Sequence, residues 1–157
     1  SNVEQWAEAR GIYEHSTALA QALKAVSEVG ELADAVIKSD KDALKDAIGD
    51  TAVCIVNAAK MIGASISLGE ATGLDRNKCE KTCAALCAYH VSDLATAIGL
   101  VYWLWTIEDA IERSFQYLAC LAEKNGLEFM DCCEAAWQVI KNRAGKMVAG
   151  GAFVKDE

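Results

Sequence analysis

Apolar residues recur at helical spacing through most of the chain, and the pattern is sharpest over residues 24–57. This stretch reads KAVSEVGELADAVIKSDKDALKDAIGDTAVCIVN, two helical patterns joined by the polar break Ser39-Asp40-Lys41-Asp42. At 100° per residue, Lys24, Glu28 and Glu31 leave the first helix as one stripe within about 60°. Asp46, Asp50 and Asn57 do the same on the second, within about 40°. Between positions 47 and 59 Asp50 is the only charge, set among Ile48, Val53, Ile55 and Val56. A helix apolar nearly all round is a buried one.

Around this pair the pattern predicts further helices. Residues 3–12 form a short amphipathic helix, with Val3, Trp6 and Ala7 on one side, that closes near Gly11. Ser16 is the expected N-cap of the next helix, which runs to about Lys38. The second core helix begins near Asp40 or Lys41 and stops at Gly63. Residues 64–77 gain Gly and Ser and lose periodicity, which marks a loop. A third helix follows over 78–89. Ser92 is then the expected N-cap of a long segment, 93–124, ended by Asn125-Gly126. A last helix covers 127 to about 143, and the tail from Gly145 is extended. No internal repeat or low-complexity linker interrupts this single domain of residues 1–157.

Composition narrows the class. The chain has no proline, many alanines and 53% hydrophobic residues, which predicts an all-α helical bundle. A net charge of -8 with 15 Lys and Arg argues against nucleic acid or an anionic membrane as partner. The longest apolar run, residues 94–107, is too short to span a bilayer. Seven cysteines, an odd number with no signal peptide read at the start, point to free thiols and a cytoplasmic protein.

Placing a carboxylate at position 50 costs several kcal/mol unless something compensates it. The nearby cations are Lys24, Lys38, Lys41 and Lys45, while two antiparallel helices joined by so short a loop bring Glu28 and Glu31 opposite Asp46 and Asp50. Carboxylates clustered on facing helices, with no His among them, suit a hard divalent cation, Mg2+ or Mn2+. The alternative on residues alone is a solvated polar face of Glu28, Glu31 and Asp46, with Asp50 capped or paired locally.

Other signals are weaker. Cys79, Cys83 and Cys87, with His90, match no zinc or iron–sulfur spacing and read as small apolar thiols at a helix interface. Cys132 and Cys133 cannot both face one way. Tyr102, Trp103 and Trp105 read as aromatics of a core or a subunit interface. His15 and His90 are the only histidines, so the Glu-x-x-His signature of di-iron bundles is absent. A Gly-rich phosphate loop and a nucleophilic triad are absent too.

The core pair resembles the catalytic helices of the MazG-like nucleoside triphosphate pyrophosphohydrolases, in the all-α NTP pyrophosphatase superfamily, whose pattern is ExxE followed after a spacer by ExxD. Glu28-Val29-Gly30-Glu31 matches the first half, within LKAVSEVGELADAV. In the second half Asp50 matches the final Asp, within AIGDTAVCIV, but Ala47 stands where the Glu would fall and Asp46 lies one residue earlier. The form DAIGD, with IKNRAGKMVAGGAFVK over residues 140–155, resembles a phage-associated branch. The resemblance covers about the first 63 residues and the last 30. The helical segment 64–126 is unmatched, and specificity or assembly of the protein's own would reside there.

This resemblance implies an all-α bundle assembled as a homodimer or homotetramer. It implies metal-dependent hydrolysis of a nucleoside triphosphate between its α and β phosphates, giving the monophosphate and pyrophosphate. Glu28, Glu31 and Asp50 would be the catalytic carboxylates and metal ligands, Asp46 a fourth ligand or a supporting group, and Mg2+ or Mn2+ the cofactor. Such chemistry needs neutralised charge and an in-line water more than a covalent nucleophile. Asn57 would contact the sugar or base, or else be a bonded core amide. Lys24 would meet the triphosphate or pair with Glu28 at i,i+4. Lys141, Arg143 and Lys146 form a basic cluster that would clamp phosphate or favour the helix C-terminus. Tailoring of a deoxynucleotide pool is the implied role, with the aromatic middle tilting the expectation toward a purine such as dGTP. Ala47 and the unmatched middle prompt a competing expectation, a non-catalytic assembly or regulatory protein that keeps a degenerate site; a Cys-based sensor is a third.

Overall fold

The computed structural model describes residues 1–67 and 77–156. They form α1 (Asn2–Ala9), α2 (Ile12–His15), α3 (Ala18–Lys38), α4 (Lys41–Ile62), α5 (Glu80–Gly99), α6 (Leu104–Lys124) and α7 (Phe129–Ile140). The strands β1 (Gly145–Val148) and β2 (Ala152–Lys155) follow. The fold is predominantly helical, with α3 and α4 as the antiparallel pair that the apolar pattern predicts.

Capping fixes the ends of that pair. The Thr17 hydroxyl accepts from Ala20 N–H at 3.1 Å to open α3, and the Asp40 carboxylate accepts from Ala43 N–H at 3.0 Å to open α4. Ser39 turns the chain between them at φ 54°. Gly63 ends α4 at φ 70°, a conformation that glycine takes without steric penalty. One stripe of α3 is buried, including Ala25, Val29, Leu32 and Val36. α4 is buried on nearly all sides because α1, α3, α6 and α7 all pack against it.

Small residues set the closeness of this packing. Ala22, Ala58 and Ala95 meet where α3 and α4 cross α5, and side chains of that size let helix axes approach. α4 and α7 also pack closely. A Cβ on Gly49 would stand 2.4 Å from the Cys132 carbonyl oxygen and 2.7 Å from Ala136 Cβ, so the residue before Asp50 is glycine for packing. The main core draws on every helix from α3 to α7. Helices α5 and α6, which lie in the segment left unmatched by the family resemblance, are thus part of the same core as the carboxylate helices.

Several boundaries depart from the sequence expectation. The first helix ends at Ala9, and Gly11 at φ 71° starts the separate turn α2. Ser16 does not cap α3; its hydroxyl accepts from Gln21 Nε2 at 2.9 Å and donates to the Gly151 carbonyl at 2.8 Å. Nor does Ser92 open a helix, because α5 runs through it, with Thr96 Oγ1 donating to the Ser92 carbonyl at 2.9 Å. The break falls after Gly99, where Val101 takes φ 54° and Tyr102 N–H reaches back to the Ala97 carbonyl at 2.9 Å. Apolar character runs unbroken across this turn, so periodicity does not mark it. Tyr102, Trp103 and Trp105 are exposed there and are not core residues.

α7 is shorter than expected, and the extended tail is a hairpin in which Gly145 pairs with Lys155 and Val148 with Ala152. Its turn uses Gly150 and Gly151 at φ 92° and 82°. Residues 68–76 of the expected loop lie outside the described residues. All seven cysteines are free thiols. Cys83 and Cys87 are buried between α5 and α6, with the Cys83 and Cys120 sulfurs 3.3 Å apart, while Cys79 is exposed at the start of α5. Among the described residues no helix is long and apolar enough to cross a membrane.

Candidate active site

Glu28 on α3 and Asp50 on α4 face one cavity of about 520 Å³, a size typical of small-ligand sites. Helical spacing brings them there. Lys24 and Glu28 lie one turn apart on α3, and Asp50, Val53, Cys54 and Asn57 follow the i, i+3, i+4, i+7 stripe of α4. Trp6 of α1 and Phe153 of β2 form another wall, their rings edge to face with centroids 5.7 Å apart. A Cβ on Gly145 would stand 2.6 Å from Phe153 Cζ, so glycine at that position lets the ring lie across β1. The Gln21–Ser16–Gly151 hydrogen bonds tie the hairpin down. Arg143, after α7, completes the lining, and its carbonyl accepts from Arg10 Nε at 3.1 Å.

The two carboxylates of this cavity are compensated unequally: Glu28 has an ion-pair partner, and among the described residues Asp50 has none. Glu28 is only 7% exposed and pairs with Lys24 Nζ at 2.7 Å, a hydrogen bond that raises the lysine pKa. Asp50 is half-buried. Burial first and the Glu28 charge second push its pKa up to about 6; Asp46 and Glu31 act in the same direction, and Arg143 opposes them. Burial, helped by Glu28, pushes the Cys54 thiol up to about 12, so this cavity-lining sulfur stays protonated and is a poor nucleophile.

Of the residues singled out from the sequence, Lys24, Glu28, Asp50, Asn57 and Arg143 line the cavity. Glu31 and Asp46 are exposed beside it and reach Asp50 only through their charge. Lys141 is exposed and donates to Gln138 Oε1, and Lys146 is exposed on β1; neither lines the cavity. Ala47 is 3% exposed within the main core. A carboxylate at that position would be desolvated, whereas Asp46 is exposed.

Among the described residues no group of three or more His, Cys, Asp and Glu is arranged to hold a metal ion. Glu28 and Asp50 are nonetheless an oxygen-only pair beside open volume. They fit a cation that takes one or two protein carboxylates and completes its shell with water and phosphate oxygens, as Mg2+ does.

Sequence reasoning missed Tyr13, whose hydroxyl donates to Asn57 Oδ1 at 3.0 Å across 44 positions of sequence. It also missed the cavity roles of Trp6 and Phe153 and the anchoring role of Arg10. Trp6 was visible only as part of an apolar face, and no local signal joins Tyr13 to Asn57. Another cavity, of about 540 Å³, lies along α6 and is lined by Ser65, Ser67, Trp105, Glu108, Asp109 and Glu112 among others. It offers acids and, among the described residues, no Lys or Arg, so it suits an anionic ligand poorly.

A predominantly helical protein with a carboxylate pair and two cations on one cavity is the class that these features define. No family model matches the chain, and no solved structure matches it. Over 59 residues, 38% of its length, the chain is 48% identical to a protein of Haemophilus phage HP1 (strain HP1c1) described as "Uncharacterized 18.2 kDa protein in rep-hol intergenic region". The matched stretch spans 36% of that protein's length.

Proposed function

We propose that the chain hydrolyses a (deoxy)nucleoside triphosphate to the monophosphate and pyrophosphate with the help of a divalent cation. The observation that carries this reading is the carboxylate pair Glu28 and Asp50, the first ion-paired to Lys24 and the second unpaired, facing a cavity that also holds Arg143. In this reading Glu28 and Asp50 hold Mg2+ or Mn2+, with Glu31 and Asp46 supporting its water shell. The cation supplies charge neutralisation at the phosphates and a more acidic bound water. Lys24 and Arg143 bind phosphate oxygens. Asn57, held by Tyr13 through its carbonyl oxygen, is left with its amide N–H groups to donate to the sugar or base. The aromatic middle gives this cavity no residue among those described, so it no longer supports a purine; Trp6 and Phe153 instead give a flat base an aromatic wall, and on that ground a purine such as dGTP is the leading substrate.

A non-catalytic assembly or regulatory role is the second reading, and the want of a third converging carboxylate among the described residues favours it. Pyrophosphate release from a panel of ribo- and deoxynucleoside triphosphates, with Mg2+ or Mn2+, separates the two. Turnover of one triphosphate by the wild type, and its loss in Asp50→Ala with helical content retained, is the expected result. No turnover with either metal would reject the catalytic reading.

A further inference from the structure

Residues 100–105, Leu-Val-Tyr-Trp-Leu-Trp, run through the turn after α5 into the first two residues of α6, and all six are exposed. Val101 is 86% exposed, Trp103 77% and Trp105 70%. Taking aromatic side chains at about 150–250 Å² and Leu and Val at somewhat less, and scaling all six by exposure, the strip offers on the order of 700 Å² of largely apolar surface. That exceeds the roughly 300–600 Å² patch of a typical monomer.

The apolar surface also continues onto α3. Leu19 lies beside Gly99, its methyl carbons 3.6 Å from where a Cβ would stand, and Leu19 and Leu23 are exposed one turn apart. The turn itself is firmly held. Val101 N–H donates to the Ile98 carbonyl at 3.1 Å and Tyr102 N–H to the Ala97 carbonyl at 2.9 Å. Val101 keeps φ 54°, a region that β-branched residues rarely enter. Glycine would relieve that strain, yet the position carries an outward-facing valine. Strain retained where the side chain makes no use of it within its own fold points to use elsewhere.

We infer that residues 100–105 are a self-association surface covered by a second copy of this chain. Its area approaches the roughly 800 Å² per partner of a standard stable interface, and its Trp and Tyr content is that of interface cores. A strip at the apex of a helical hairpin can lie antiparallel to its own copy, the self-complementary arrangement of a two-fold dimer. The acids that follow it, Glu108 and Asp109, and the net charge of -8 oppose an anionic lipid surface. Because Leu23 also lines the cavity of Glu28 and Asp50, the covered surface reaches the rim of that cavity.

Sedimentation velocity across a wide concentration range, on the full chain and on Trp103→Ser/Trp105→Ser, tests the inference. The wild type is expected to sediment as a dimer or higher multiple. The double variant should associate roughly a hundredfold more weakly or worse, with unchanged helical circular dichroism. Should that variant misfold, Val101→Gly suits the turn geometry and removes only the side chain, and it is expected to weaken association roughly tenfold. A wild type monomeric at every concentration, or folded variants that assemble as the wild type does, overturns the inference. So does a monomeric wild type that binds vesicles of phosphatidylcholine, which would assign the strip to lipid.

Discussion

Replacing Asp50 by Asn separates what this carboxylate does to the fold from what it does for chemistry. In the unfolded chain Asp50 ionises near 3.8, whereas in the fold it holds its proton up to about 6. Folding is therefore favoured most below pH 3.8, and the Asp50 contribution is lost as the pH rises through 6. At about 1.4 kcal/mol per pKa unit the ceiling on this effect is about 3 kcal/mol. Solvent screening of a half-buried group lowers it to about 1–2 kcal/mol. Asn keeps the shape and removes the charge. Without metal, Asp50→Asn should be more stable than the wild type at pH 8 by that amount, roughly 2–8 °C in Tm, and the gap should close by pH 4. Urea denaturation followed by circular dichroism at both pH values measures it. A variant no more stable than wild type at pH 8, or a gap equal at the two pH values, refutes the reasoning. Under the proposed function, added Mg2+ stabilises the wild type alone and narrows the gap, while the variant loses pyrophosphate release.

Other perturbations have equally definite outcomes. Gly49→Ala should destabilise by about 1–2 kcal/mol in urea melts, because overpacking against the Cys132 carbonyl outweighs the gain of about 1 kcal/mol in helix propensity; a stabilised variant would show that α7 can shift. Tyr13→Phe leaves Asn57 Oδ1 without its partner and should cost about 1 kcal/mol, with KM rising more than kcat falls. Arg143→Met removes the charge that opposes the upward shift of Asp50. The Asp50 titration, followed by carboxyl-carbon NMR, should move above 6, and a downward move contradicts the assigned geometry.

Much of the central pair was legible in the sequence. Asp50 alone among apolar residues, and the Lys24–Glu28–Glu31 stripe, fix which faces of α3 and α4 point together, since both follow from helical period. The same period could not separate Asp46 from Asp50 by depth. Asp46 is exposed because α7 packs elsewhere on α4, a tertiary fact. The α5–α6 boundary escaped because the residues of the turn are as apolar as the helices they join, and Ser92, a good cap by type, lies mid-helix. Trp6, Tyr13 and Phe153 reach the cavity through contacts between distant parts of the chain, which no local pattern encodes. Arg143 was legible as one of the basic cluster with Lys141 and Lys146, but nothing local told which of the three reaches the cavity.

The bonds that fasten the hairpin have a temporal consequence. Ser16 and Gly151 stand 135 positions apart and Arg10 and Arg143 stand 133 apart, whereas α3 and α4 meet through a turn of a few residues. Local contacts form fast and distant ones slowly. During synthesis the two acidic helices can therefore pair while their cavity still lies open on one side, and the pocket gains its last wall only when the hairpin has emerged and docked on α1 and α2. A nascent chain would carry the acids long before it could enclose a ligand, so under the proposed function binding competence would wait for the hairpin to dock.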